Sequence, residues 1–201
     1  MNVDAILIGG FHEILELCSD AGVNVVGIID DKLEGEYYGI PIIGKDGDAM
    51  SLREKYGDIP VIITPDSPSA RKRLAGYYRE CGFRFMTLIS PYSKISKYSS
   101  IGEGSIVQSG VNVSAGTHVG AFSKLNIGSN LMHDNRIGDF VTFAPEALSL
   151  GRVTVGDGVY VGAHSTILPD IKVGEDSIVG AGAVVTKDVP EGVIVKGIPA
   201  R

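Results

Sequence analysis

Residues 95–131 read ISKYSSIGEGSIVQSGVNVSAGTHVGAFSKLNIGSNL, and every sixth residue of that stretch is a branched aliphatic. The register continues through Ile137, Phe143, Ser149, Val155, Val161, Ile167, Val173, Val179 and Val185, so fifteen of sixteen successive positions from Ile95 are large and apolar. Two places before each, the residue is mostly small or β-branched, as at Ser99, Ser105, Thr117, Ser123, Ser129, Ser165 and Ala183. Glycine follows the aliphatic at 102, 120, 138, 156, 162, 174 and 180. A helix repeats at 3.6 residues and an alternating strand at two, so neither explains a six-residue register. Each hexad is read as one short strand and a bend: the aliphatic fills a narrow prism, the small residue fits beside it, and glycine relaxes the corner. Three hexads close one coil, and coils stacked at about 4.8 Å predict a parallel β-helix roughly 25 Å long. A β-sandwich of short strands gives no reason for glycine in phase with the aliphatics.

Upstream the period differs. Ala5 to Ile8 is a buried-strand run; His12 to Ala21 reads as a helix, Val23 to Ile29 and Ile40 to Ile43 as strands, and Asp48 to Tyr56 as a polar helix. Pro60 to Thr64 and Phe85 to Ile89 read as strands around a helix over Ser67 to Cys81, with Ser67 and Pro68 as start signals and Gly82 as the stop. This alternation predicts an α/β unit over residues 1–91, a small parallel sheet flanked by helices, ahead of a β-helix domain over 92–201.

The 201 residues carry 18 basic and 24 acidic side chains, a net charge of −6 without a long run of either sign, which argues against a nucleic-acid partner. No basic-then-apolar leader and no apolar run of bilayer length is present, so the reading is a cytoplasmic chain with no membrane partner. Cys18 and Cys81 lack the spacing of a zinc site or disulfide framework and read as reduced core thiols. His118, His133 and His164 are not separated by multiples of the 18-residue coil, so they do not stack, and no metal is expected.

The segment from Asn126 to Pro145, above all His133, Asp134, Ile137, Gly138, Asp139, Phe140, Ala144 and Pro145, and the ending Gly197-Ile198-Pro199-Ala200-Arg201 resemble the acetyltransferases with a left-handed parallel β-helix of hexapeptide repeats behind an N-terminal Rossmann-like nucleotide-sugar-binding domain: bacterial sialic acid O-acetyltransferases and UDP-4-amino-sugar N-acetyltransferases. The resemblance covers nearly the whole chain. It implies a left-handed coil, a homotrimer with active sites between neighbouring prisms, acetyl-CoA as acetyl donor, and a nucleotide-linked amino sugar of bacterial surface-glycan synthesis as acceptor.

Acetyl transfer from a thioester needs a base for the attacking amine or hydroxyl. Histidine, with a reference pKa near 6.5, suits that task. His133 falls two places after the inward Leu131, at a bend. A lone corner histidine is usually inert; the flanking motif singles this one out. The resemblance makes His133 the general base, Asp134 its orienting acid and Asn126 a polar neighbour. It also marks two departures, Met132 where glutamate is common and Thr142 where a second histidine is common; Thr142 is then expected to offer its hydroxyl or N–H to the acetyl carbonyl. Coenzyme A is expected along Gly151, Ala163, Gly180 and Ala181, with Lys196 and Arg201 meeting its phosphates. In the N-terminal domain, Asp30 and Asp31 match an aspartate pair after the second strand, and Gly10 and His12 lie in a glycine loop after the first, shorter than the family's. O-acetylation of a sialic-type or other sugar uses the same base, and a non-catalytic trimeric sugar-nucleotide binder is the alternative from another class; turnover on a panel of acceptors separates them.

Overall fold

The computed structural model describes residues 3–201. The N-terminal unit runs β1 (Val3–Ile8), α1 (His12–Asp20), β2 (Val23–Ile29), β3 (Glu36–Tyr37), β4 (Ile40–Gly44), α2 (Ala49–Tyr56), β5 (Val61–Ile63) and α3 (Pro68–Glu80). Its sheet has the order β3-β4-β2-β1-β5, parallel except for the β3–β4 hairpin. In β1, Ala5 to Ile8 is buried throughout, as a central parallel strand covered on both faces must be. Tyr38 and Gly39 (φ 50° and 77°) form the two-residue hairpin turn, which requires positive φ at both positions. Ile14, Leu17 and Cys18 turn one face of α1 into the core, where burial pushes the Cys18 thiol pKa up to about 12. The Ser67 hydroxyl caps α3 by accepting from the Ala70 N–H (3.3 Å), with Pro68 in the first turn.

Residues 88–195 form a three-faced prism of two-residue parallel strands. The first face runs from Leu88–Ile89 to Ile194–Val195 in seven strands, the second from Lys94–Ile95 to Val184–Val185 in six, and the third from Ser100–Ile101 to Lys172–Val173 in five. Partners lie one coil apart, as in His118↔Arg136. Seven strands make six steps of about 4.8 Å, roughly 29 Å in all. From Val107 to Val185 every residue of the sixfold register is buried, Ser149 included.

Three details depart from the sequence reading. Phe85 to Ile89 is not one strand: Phe85 bridges Val61, whereas Leu88–Ile89 pairs with Ile106–Val107 in the prism. Thr87, whose Oγ1 donates to Gly102 O and accepts from Gly104 N–H, turns the chain onto the first coil. The last coil is shortened, so Ile178 pairs with Ile194. The glycines that follow the aliphatics do not hold positive φ. A Cβ on Gly120 would lie 2.5 Å from Gly138 C, so these glycines permit close approach between coils. The left-handed residue falls two places later, and Asp134, Phe140, Arg152 and Asp170 occupy it at φ 60°, 59°, 60° and 66°.

Arg71 of α3, 1% exposed, fastens the two units. Its Nε donates to Phe122 O (2.8 Å) and Nη2 to Phe140 O (2.8 Å), Val141 O (3.1 Å) and Thr142 Oγ1 (2.9 Å). Nη1 reaches Pro65 O (3.0 Å) and Asp66 O (2.7 Å). Burial pulls its pKa down to about 10. Phe122 and Phe140 stack beside it with centroids 5.2 Å apart, and Arg79 lies 5.2 Å over Phe122. Among the described residues no helix is long and apolar enough to cross a membrane.

Candidate active site

His133 stands on the corner after the strand Asn130–Leu131, between the second and third faces. Its Nδ1 lies 2.8 Å from Asp134 Oδ2, and both side chains are about half exposed. The left-handed conformation of Asp134 turns the carboxylate back onto the preceding imidazole, and its N–H is anchored on Ala115 O (3.0 Å). Gly116, one coil below, leaves room for that carboxylate, since a Cβ there would collide with Oδ1. One coil above, Arg152 N–H donates to His133 O (2.9 Å) and Gly151 faces the other ring nitrogen: a Cβ on Gly151 would sit 2.5 Å from Nε2. Arg152 forks onto Asp170 (2.6 and 2.8 Å), a pair that holds the Asp170 carboxyl below its usual range and raises the guanidinium. An imidazole whose Nδ1–H points at a carboxylate keeps an Nε2 lone pair to accept a proton, and the carboxylate stabilises the imidazolium that results.

The other expected prism residues lie on a different corner. Asn126, Ala163, Gly180, Ala181 and Lys196 follow strands of the first face and line the corner between the first and second. Gly182 N–H donates to Ala163 O (2.8 Å), and a Cβ on Gly180 would lie 3.0 Å from Lys196 Cβ. Ala181 and Lys196 are exposed, Ala163 and Gly180 partly so, making a strip of small side chains that leads to a lysine. Lys196 and Arg201 exchange backbone hydrogen bonds (3.0 and 3.1 Å), which brings both cations to this end. Of the expected coenzyme positions, Gly151 alone shares a corner with His133.

Thr142 must be corrected. It is fully buried under the N-terminal unit; its hydroxyl donates to Asp66 O (2.7 Å) and accepts from Arg71, and its N–H is spent on Val159 O (2.9 Å). With both groups committed it has nothing to offer an acetyl carbonyl. Asn126 is also not beside His133 in the same chain: it is 6% exposed and its Nδ2 faces Asp66 Oδ1 at 3.4 Å.

At the C-terminal ends of β1, β2 and β5 a cavity of about 310 Å³ is lined by Gly9, Gly10, Phe11, Asp30, Thr64, Pro65 and Asp66. Gly10 and Asp30 meet there, Gly10 N–H donating to Asp30 Oδ2 (2.9 Å). The other Asp30 oxygen accepts from Lys32 and Leu33 N–H (2.8 and 3.1 Å). Burial pushes this carboxyl up, but those three backbone N–H bonds outweigh it and hold its pKa below the usual range. Its stability contribution is present above about pH 4, the unfolded value, and lost as pH falls through the lower folded value. Asp30→Asn is expected to lower the thermal midpoint at pH 7, with the difference from wild type closing as pH falls below about 4. Thermal melts of both proteins from pH 7 to pH 3 check this.

Asp31 and His12 do not line this cavity. Asp31 accepts from Asp46 N–H (2.9 Å). The short loop makes His12 the first residue of α1, where it stacks on Tyr38 (centroids 5.7 Å) and faces a second cavity of about 470 Å³. The sequence reading missed Lys124 and Asp66. Lys124, fully buried, extends from the first face, donates to Thr64 O (2.8 Å), pairs with Asp66 Oδ1 (2.9 Å) and lies 5.0 Å over the Phe11 ring. Burial lowers its pKa while Asp66 opposes the shift. Nothing in the hexad pattern marks the face that another unit will cover, so a lysine in an outward position reads as solvated.

Among the described residues no group of three His, Cys, Asp or Glu is disposed to hold a metal. The bacterial transferase hexapeptide (six repeats) model matches residues 152–187. Protein CapG of Staphylococcus aureus is 51% identical over 69 residues, which span 34% of this chain and only 40% of that protein. A variant of perosamine N-acetyltransferase from Caulobacter crescentus, in complex with CoA and GDP-perosamine, superposes over 100% of this chain and 96% of its own, with TM-score 0.94 and 29% identity. WeeI from Acinetobacter baumannii AYE is 31% identical, with TM-score 0.88 and 99% of both chains covered. Hexad register, matching repeat model and likeness to WeeI over its whole length agree, and the chain belongs to the hexapeptide-repeat acetyltransferase family.

Proposed function

We propose that this protein is an acetyl-CoA dependent N-acetyltransferase whose acceptor is the amino group of a nucleotide-linked sugar, made for bacterial surface-glycan synthesis in the cytoplasm. The observation that carries the reading is the His133–Asp134 pair, with a corner glycine against the proton-accepting nitrogen. His133 Nε2 takes the proton of the attacking amine as the C–N bond forms. Asp134 stabilises the imidazolium, and the proton passes to the departing thiolate as the C–S bond breaks. The small residues Ala163, Gly180 and Ala181 suit an extended pantetheine arm, and Lys196 and Arg201 suit the phosphates beyond it. The GDP-perosamine held by the Caulobacter relative supports a nucleotide sugar as acceptor.

Residues 1–91 serve in this reading as a Rossmann-like nucleotide-sugar-binding domain and 92–201 as a left-handed β-helix domain. The cavity at Gly10 and Asp30 adjoins Asn126 through Asp66, on the small-residue corner, whereas His133 is on the next corner of the same prism. A complete site therefore needs the His133 corner of one chain against the cavity corner of another, which a cyclic homotrimer supplies. The test is thiol release from acetyl-CoA with GDP- and UDP-linked 4-amino sugars, their 4-hydroxy counterparts and free sialic acid. Release confined to the amino sugars is the expected result. Release on the hydroxy sugars or sialic acid establishes O-acetylation, and acetyl-CoA binding without release on any acceptor favours the non-catalytic binder.

A further inference from the structure

Inside the prism, three hydroxyls of the row two places before the aliphatics, on successive coils before the candidate base, share one pattern. The hydroxyls of Ser105, Ser123 and Thr117 donate to the carbonyl fifteen residues on, those of Gly120, Gly138 and Met132, and each accepts the N–H one coil above, from Ser123, Val141 and Asn135. Asn135 is the one amide in that row. It is 0% exposed and keeps the second bond, its Oδ1 accepting from Val153 N–H at 2.7 Å, but its Nδ2 donates to Ser149 Oγ at 2.7 Å. Ser149 is the one residue of the sixfold register that is not large and apolar, stacked between Leu131 and Ile167. The longer side chain at 135 is thus matched by the shorter one at 149, and the two exceptions touch.

The place of this exchange bears on the base. Asn135 ends the turn that carries His133 and Asp134, while Ser149 and Val153 bracket the turn that carries Gly151 and Arg152. We propose that Asn135 and Ser149 form a buried positioning pair that fixes the turn of Gly151 relative to His133, and so sets where the proton-accepting Nε2 stands against the reacting acceptor. Neither residue touches substrate; both act through the two turns. A hydrophobic register residue at 149 would pack the prism more simply, so the serine is retained for registry rather than stability.

The inference rests on His133 as the base, and the test separates the two. Ser149→Ala removes only the hydroxyl; Ser149→Thr keeps it. For each, kcat and KM for acetyl-CoA are measured, with the ¹H–¹³C imidazole resonance of His133, assigned by its loss in His133→Ala. Expected for Ser149→Ala is a fall in kcat of about tenfold or more, with KM for acetyl-CoA within threefold and a displaced His133 resonance. Ser149→Thr is expected to resemble wild type in all three. An unmoved His133 resonance in Ser149→Ala, or wild-type kcat there while His133→Ala is inactive, overturns the positioning role. A displaced resonance together with an active His133→Ala variant upholds the pair and sinks the base.

Discussion

Gly151→Ala is expected to lose about a hundredfold in kcat while leaving the fold intact. The added Cβ would stand 2.5 Å from His133 Nε2 and 2.6 Å from Cε1, both at the end of a side chain that can rotate away. For stability that is a cheap collision, but the ring must leave the position in which Nδ1 meets Asp134, and the methyl then covers the space an acceptor nitrogen needs. Gly120 offers the contrast. Its Cβ would strike the backbone of Gly138 at 2.5 Å, so alanine there is expected to distort the coil itself. Steady-state kinetics and thermal melts of both variants check the pair: Gly151→Ala should melt within about 2 °C of wild type, and Gly120→Ala should not.

Arg71→Ala is expected to destabilise the protein by about 3–5 kcal/mol, as loss of one partner in a buried charged network does. Five backbone carbonyls, of Pro65, Asp66, Phe122, Phe140 and Val141, would lose a donor in a buried seam, and Asp66 would lose one of its two cationic neighbours. Lysine does not replace it, because one ammonium cannot span acceptors that the guanidinium fork reaches on both units. At roughly 2–4 °C per kcal/mol for a chain of this size, a fall of about 10 °C in the first thermal transition follows. Differential scanning calorimetry of Arg71→Ala and Arg71→Lys checks it, and a midpoint within 2 °C of wild type would count against the rivet.

The prism was legible because its constraint is repetitive: a narrow triangular interior accepts one aliphatic per six residues, and the period shows regardless of context. Ser149 already stood out there as the single exception, but its partner did not, because Asn135 is one of many small polar residues until the coil brings it above Thr117 and against Ser149. The N-terminal elements were legible from runs and caps, as at Ser67-Pro68, with boundaries shifted by a residue or two. The join between units was not. Lys124 and Thr142 occupy outward hexad positions, and only the docking of Arg71 and Asp66 shows them to be buried. The turns of the prism account for the other site residues. His133 and Asp134 are neighbours in sequence, so their contact was readable, whereas Asn126 and His133, seven residues apart, turn onto different corners because one face of the prism lies between them.

Whether His133 is the proton acceptor is decided by His133→Ala in a single-turnover assay with acetyl-CoA and a GDP-linked 4-amino sugar. The predicted result is a rate of thiol release reduced about a thousandfold, with acetyl-CoA affinity within threefold of wild type and the thermal midpoint unchanged, since general base catalysis supplies about 10²–10⁴ and the half-exposed ring supports no core. If the variant releases thiol within tenfold of the wild-type rate, His133 is not the base and the proton leaves by another group.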